Sequence, residues 1–150
     1  MLSNELIDIY NYITKEAGKM VSEFVDRKDL TGKSDFASVY SKSEREFETF
    51  TQELKDNGTP ADIQKTGTYY WLNRPLETSL GTIRRCRIRI ADGNYKERGY
   101  VDFEVKNYQD FKKKYLKDTK FKQIDNPKVE MIELKSPGFN VRAYFPDTEF

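Results

Sequence analysis

The feature that most constrains the fold of this chain is a change in its hydrophobic period at Gly67. Before Gly67, large apolar residues recur every three or four positions, which is the spacing of one face of an α-helix. After Gly67 they alternate with polar residues, and aromatic and β-branched types become more frequent, as in β-strands. We therefore predict one domain, residues 1–150, with a helical part over about 3–64 and a sheet-rich part over about 67–146.

Two amphipathic helices are predicted in the first part. The first runs from Ser3 to about Val25, with Ser3 or Asn4 as its cap, and its apolar face is formed by Leu6, Ile9, Ile13, Ala17, Met20 and Phe24. The second begins near Ser41, because Ser41 and Glu44 have the spacing of a capping box, and it ends at Asn57-Gly58. Thr59-Pro60 is interpreted as the start of one more short helical turn.

The second part is predicted to contain strands at residues 67–73, 82–90, 98–105, 128–135 and 139–145. Asp92-Gly93 is a common hairpin signal, so the strands 82–90 and 98–105 are expected to pair as neighbours. A helix that begins at Asn107 and runs to about Lys117 separates the two groups of strands. The predicted class is α+β, with N-terminal amphipathic helices packed on one face of a largely antiparallel sheet.

Composition excludes several classes of chemistry. The chain contains no histidine and one cysteine, which excludes Ser-His-Asp and Cys-His catalysis and argues against a structural zinc site. The formal net charge is +1, so no overall field attracts nucleic acid or an anionic membrane. We expect no membrane association, no disulfide and no secretory leader, and hence a cytoplasmic protein.

The segment TIRRCRIRI, Thr82 to Ile90, contains the strongest candidate site. Strand alternation would put Arg85, Arg87 and Arg89 on one face, in a row of fixed positive charges. Arg84 would point to the core side, together with Cys86, Ile88 and Ile90.

Two interpretations of this row remain open. Asp102 and Glu104 alternate on the polar face of the predicted neighbouring strand, and in a suitable register they would neutralise two of the arginines. Alternatively, the surplus of guanidinium groups, flanked by tyrosines, binds the oxygens of an anion.

We accordingly predict a non-catalytic domain that binds a phosphorylated small molecule, a nucleotide or a nucleic-acid segment on an Arg/Tyr-rich sheet face. The expected ligand-binding residues are Arg85, Arg87, Arg89, Arg74, Tyr69 and Tyr100. No catalytic residue, metal or cofactor is assigned. The alternatives are a histidine-independent ribonuclease or phosphate-cleaving enzyme that uses the same face, and an interaction module that self-associates through aromatic residues such as Trp71.

Overall fold

The structure, a computed structural model, describes residues 1–150. Its three α-helices are α1 (Asn4–Phe24), α2 (Glu44–Asp56) and α3 (Tyr108–Tyr115), and a short 3₁₀ helix spans Arg27–Asp29. The eight strands are β1 (Phe36–Tyr40), β2 (Gly58–Asp62), β3 (Tyr69–Thr78), β4 (Gly81–Arg89), β5 (Gly99–Asp102), β6 (Phe121–Asp125), β7 (Glu130–Leu134) and β8 (Val141–Pro146).

All eight strands belong to one sheet, in the order β2-β3-β4-β1-β5-β8-β7-β6. The pairs β1/β4 and β5/β8 are parallel, and the other five pairs are antiparallel. The prediction of an α+β chain with a largely antiparallel sheet is confirmed.

Each helix begins where a side chain can cap its free N–H groups. Ser3 Oγ accepts a hydrogen bond from the Leu6 N–H, and Asn107 Oδ1 accepts one from the Asp110 N–H. For α2 the cap is Ser43, whose Oγ accepts from the Glu46 N–H. The predicted starts of α1 and α3 are therefore confirmed, whereas the predicted cap of α2, Ser41, lies two residues too early.

The core forms where the apolar sides of the helices and of the sheet meet. A cluster of 27 buried residues includes Leu6 and Ile13 of α1, Phe50 of α2 and Cys86 and Ile88 of β4. Helix α1 contacts β1, β3, β5 and β8, and α2 contacts β2, β3 and β4. No helix is both long and apolar enough to cross a membrane.

Gly99, the first residue of β5, is required by the close approach of this helix layer to the sheet. A Cβ atom at Gly99 would lie 2.2 Å from the carbonyl oxygen of Ser38 and 2.5 Å from Cδ1 of Ile13 in α1. Any larger residue would therefore push β5 away from β1 or from α1.

Two strands lie within residues 3–64. The prediction that this part of the chain is helical is therefore wrong for those two strands. Strand β1 occupies residues 36–40, and Thr59-Pro60 belongs to β2 rather than to a helical turn. The predicted hairpin between residues 82–90 and 98–105 is also wrong, because β1 lies between β4 and β5 and pairs with both.

Strand β4 alternates only from Arg85 onward. Ile83, Cys86 and Ile88 are all in the core, so the alternation slips by one residue between Ile83 and Cys86. The slip coincides with an irregular register against β3 between Trp71 and Leu76. Arg84 is consequently exposed, and the prediction that it faces the core is wrong.

Candidate functional site

A cavity of about 460 Å³ lies on the sheet face opposite the core cluster. Its floor includes Arg85, Arg87 and Arg89 of β4, and we call it the arginine pocket. The strand pairing places Phe36, Ser38 and Tyr40 of β1 beside these three arginines in turn. Because β1 lies in the middle of the sheet, the pocket is built over its central strands.

The two edges of the sheet approach each other across this pocket. Asp62 ends the edge strand β2, and Lys128 lies in the loop between β6 and β7 at the opposite edge. Lys128 Nζ and Asp62 Oδ1 are 2.9 Å apart. The pKa of Asp62 is below its usual value, and the hydrogen bond from Lys128 is the main cause. The sheet is therefore curved around the pocket, although a pair this exposed contributes only about 0–1 kcal/mol.

The outer arginines of the row each have a carboxylate partner. Arg85 Nη2 lies 2.9 Å from Asp35 Oδ2, and Arg89 Nη1 lies 3.0 Å from Asp92 Oδ2. Each guanidinium also stacks on an aromatic ring, with the Arg85 Cζ 3.8 Å from the Phe36 centroid and the Arg89 Cζ 4.1 Å from the Tyr95 centroid. These contacts hold the two side chains in fixed orientations.

Arg87, in the middle of the row, has no carboxylate partner although it is only 6% exposed. Its two terminal nitrogens donate to neutral groups in the loop after β2, to Gln64 Oε1 and to Thr66 Oγ1, each at 3.2 Å. Its Nε is buried without any hydrogen-bond acceptor. A buried charge is ordinarily paired, because removing it from water is costly. Arg87 is therefore a buried positive charge with no carboxylate in hydrogen-bond contact.

Asp102 also lines the pocket but forms no ion pair with the row. Burial raises the pKa of Asp102 to about 7, although the positive charges of Arg87 and Arg85 lower it. Near neutral pH this carboxyl group therefore exists in both its protonated and its ionised form.

A tyrosine cluster, defined as Tyr40, Tyr69, Tyr100 and Tyr144, also lines the pocket. The hydroxyls of Tyr69 and Tyr100 share a hydrogen bond, and Tyr144 donates to Glu133 Oε2 at 2.7 Å. Burial raises the pKa of all four hydroxyls. At neutral pH the cluster thus offers uncharged hydrogen-bonding groups rather than negative charges.

Five of the six residues predicted to bind the ligand lie together in this pocket: Arg85, Arg87, Arg89, Tyr69 and Tyr100. Arg74 does not, because it lies in the stretch of β3 between Trp71 and Leu76 where the register is irregular, and it is exposed near Met1 and Leu2. The structure therefore does not bring Arg74 together with the other five, and its assignment as a ligand-binding residue stays a prediction.

Of the two interpretations of the row, the one in which Asp102 and Glu104 neutralise it is wrong. Neither forms an ion pair with an arginine, since β1 separates β5 from β4. The Glu104 carboxylate instead accepts a hydrogen bond from the Phe150 N–H. The acids that do pair with arginines of the row, Asp35 and Asp92, lie outside the strands. Only the closeness of Asp92 to Arg89 in the sequence could have indicated one of them.

A larger groove of about 1010 Å³ lies beside the C-terminal end of α1 and the loop of residues 26–34. Its charged residues include Arg27, Lys28, Lys33 and Lys106, all on the surface or only partly buried. No buried polar side-chain atom without a hydrogen-bond partner lies there. We therefore regard the arginine pocket as the better candidate site.

The arginine pocket presents fixed guanidinium donors together with one carboxyl group whose pKa is about 7. No group of three or more Asp, Glu or Cys side chains comes together that could hold a metal ion. The sequence matches no protein-family model and no curated protein.

Proposed function

We propose that this protein is a binding domain for a small anionic molecule and that Arg87 binds the anionic group. The proposal rests on one observation. The guanidinium of Arg87 is buried without a carboxylate partner, and it lines a cavity large enough for a small organic molecule. Ligand pockets in proteins typically enclose about 300–1,000 Å³, so a volume of about 460 Å³ lies within that range.

The geometry of the donors supports binding of a planar or tetrahedral oxyanion. A guanidinium has five N–H donors, and Gln64 and Thr66 occupy one on each terminal nitrogen of Arg87. The remaining donors are available for a charge-assisted pair of hydrogen bonds. The curved sheet and the Asp62–Lys128 pair favour a small molecule over a nucleic-acid strand, because they narrow the space above the floor.

The test uses isothermal titration calorimetry with inorganic phosphate, adenosine monophosphate and octanoate on the wild-type protein, Arg87→Met and Arg84→Met. Arg84 is the matched control, because it is an arginine of the same strand that is exposed and outside the pocket. We expect the wild type and Arg84→Met to bind at least one of the anions equally. Arg87→Met should bind it at least tenfold more weakly, which corresponds to about 1.4 kcal/mol.

Two outcomes would contradict this function. One is that none of the three anions binds to the wild type at millimolar concentration. The other is that Arg87→Met, shown to be folded by circular dichroism, binds with wild-type affinity.

A second candidate function, a histidine-independent phosphodiester-cleaving enzyme, is favoured by one observation. Asp102 has a pKa of about 7 and shares a pocket with Arg87, so it is suited to transfer protons near neutral pH beside an anion-binding group. If this function is correct, total RNA or bis(p-nitrophenyl) phosphate should be cleaved by the wild type. Asp102→Asn should abolish the cleavage while still binding the anion, and a wild type without activity would reject this candidate.

A further inference from the structure

The charges around the arginine pocket indicate how many negative charges its ligand carries. Four cationic side chains line the pocket: Arg85, Arg87, Arg89 and Lys128. Three of them are already paired with aspartates at 2.9–3.0 Å, through Asp35, Asp92 and Asp62 respectively. Only the positive charge of Arg87 has no carboxylate in contact with it. Asp102 does not neutralise this charge while its carboxyl group is protonated.

While Asp102 is protonated, a ligand with one negative charge therefore balances the pocket. A second or third negative charge would have to displace an aspartate from its arginine or from Lys128, or face Asp102 in its ionised form. Desolvating a charge without a partner is costly, so additional phosphate groups would weaken binding rather than strengthen it.

The part of the pocket lining contributed by β6, β7 and β8 carries apolar residues beside the polar Asn126 and Lys128. The apolar residues are Ile124 of β6, Val129 just before β7, Met131 of β7 and Pro146 of β8. Ile124 and Met131 pack against the tyrosine cluster and so extend one continuous surface from the arginines to the far side of the pocket. Burying one methylene group of a ligand there should increase its affinity about fourfold.

We infer that the ligand is an organic monocarboxylate with an apolar body, whose carboxylate binds Arg87 and whose hydrocarbon or aromatic portion lies against Ile124 and Met131. This inference rests on the proposed function and specifies its ligand class. A planar carboxylate matches the fork of a guanidinium, and it retains lone pairs for a further donor such as the protonated Asp102 carboxyl.

The experiment measures the affinities of butanoate, hexanoate, octanoate, 1-octanol and adenosine monophosphate by calorimetry at pH 6.5. We expect affinity to rise about sixteenfold for each pair of added methylene groups, octanoate to bind at least tenfold more tightly than 1-octanol, and adenosine monophosphate to bind more weakly than octanoate. Met131→Gln should weaken octanoate binding more than butanoate binding. Arg84→Met should change neither, because Arg84 lies outside the pocket.

The outcomes separate this inference from the proposed function. If adenosine monophosphate binds more tightly than octanoate, and Arg87→Met abolishes that binding, the pocket takes a phosphorylated ligand and only the inference is overturned. If 1-octanol binds as tightly as octanoate, the charge of Arg87 is not used and both are overturned. If chain length has no effect on the carboxylates, the apolar part of the lining does not belong to the site and the inference fails. These wild-type comparisons do not depend on whether any variant folds.

Discussion

Two buried arginines on the same face of the sheet differ in the partners to which they are hydrogen-bonded. Arg142 of β8 is 9% exposed and bonds to two carboxylates, Glu97 Oε1 at 2.9 Å and Glu133 Oε2 at 3.0 Å. Arg87 of β4 is 6% exposed and bonds to none. Both stack near tyrosine rings, so the aromatic surroundings do not distinguish them.

The difference is the one expected if Arg142 serves the fold and Arg87 binds the proposed anion. Arg142 is neutralised within the chain, and Glu133 additionally accepts from Tyr144, so this network is complete without any other molecule. Arg87 lies over a cavity and retains free donors. Stability should therefore depend on Arg142, and binding should depend on Arg87.

The largest expected effect is the loss of stability in Arg142→Met. Removing Arg142 leaves the buried carboxylate of Glu133 without its cation, and breaking a buried ion pair in this way costs about 3–5 kcal/mol. Urea denaturation should show this decrease in the free energy of unfolding relative to the wild type, with Arg84→Met as the control. A decrease below about 1 kcal/mol would mean that the Arg142 network is not structural.

A smaller effect is expected from Asp102→Asn, and it should depend on pH. The folded protein holds the proton of Asp102 more tightly than the unfolded chain does, because burial raises its pKa from 3.8 to about 7. The stability that protonation provides is fully present below about pH 4 and is lost as the pH rises through 7. The variant stays neutral, so its stability relative to the wild type should rise by up to about 1.4 kcal/mol per pH unit between about pH 4 and pH 7, and level off above pH 7.

Thermal unfolding between pH 5.5 and 8.5 measures this difference. Other titratable or charged groups around Asp102 are Arg85 and Arg87 of β4, Tyr69 of β3, Tyr100 of β5 and Tyr144 of β8. Arg87 and the three tyrosines, whose pKa values are raised, do not titrate in this interval. Parallel pH profiles for the wild type and Asp102→Asn would show that Asp102 does not titrate there.

Local signals in the sequence were sufficient for much of the fold. The three- and four-residue apolar spacing and the Ser3 and Asn107 caps correctly predict α1 and α3. Alternation in β4 correctly groups Arg85, Arg87 and Arg89 on one face. These predictions succeed because each depends on residues within one or two helical turns or one strand.

Non-local pairing accounts for most of what the sequence could not predict. Strand β1 has only five residues, and four of them are buried, so it lacks the alternation of a half-buried strand. Its parallel pairing with β4 joins segments about 50 residues apart, which no turn signal reveals. Because β1 lies between β4 and β5, Asp102 is not on the strand next to the arginines. Arg87 therefore has no carboxylate partner on a neighbouring strand.

The smallest expected effect on stability is that of Arg87→Met, and it tests the comparison most directly. Arg87 makes no ion pair and hydrogen-bonds only to Gln64 and Thr66, so its removal should change the free energy of unfolding by less than about 1 kcal/mol. Urea denaturation of Arg87→Met beside Arg142→Met measures the contrast. If Arg87→Met were destabilised as much as Arg142→Met, Arg87 would be a structural residue like Arg142. A small change in stability together with lost anion binding is the combination expected of a residue whose partner is the ligand.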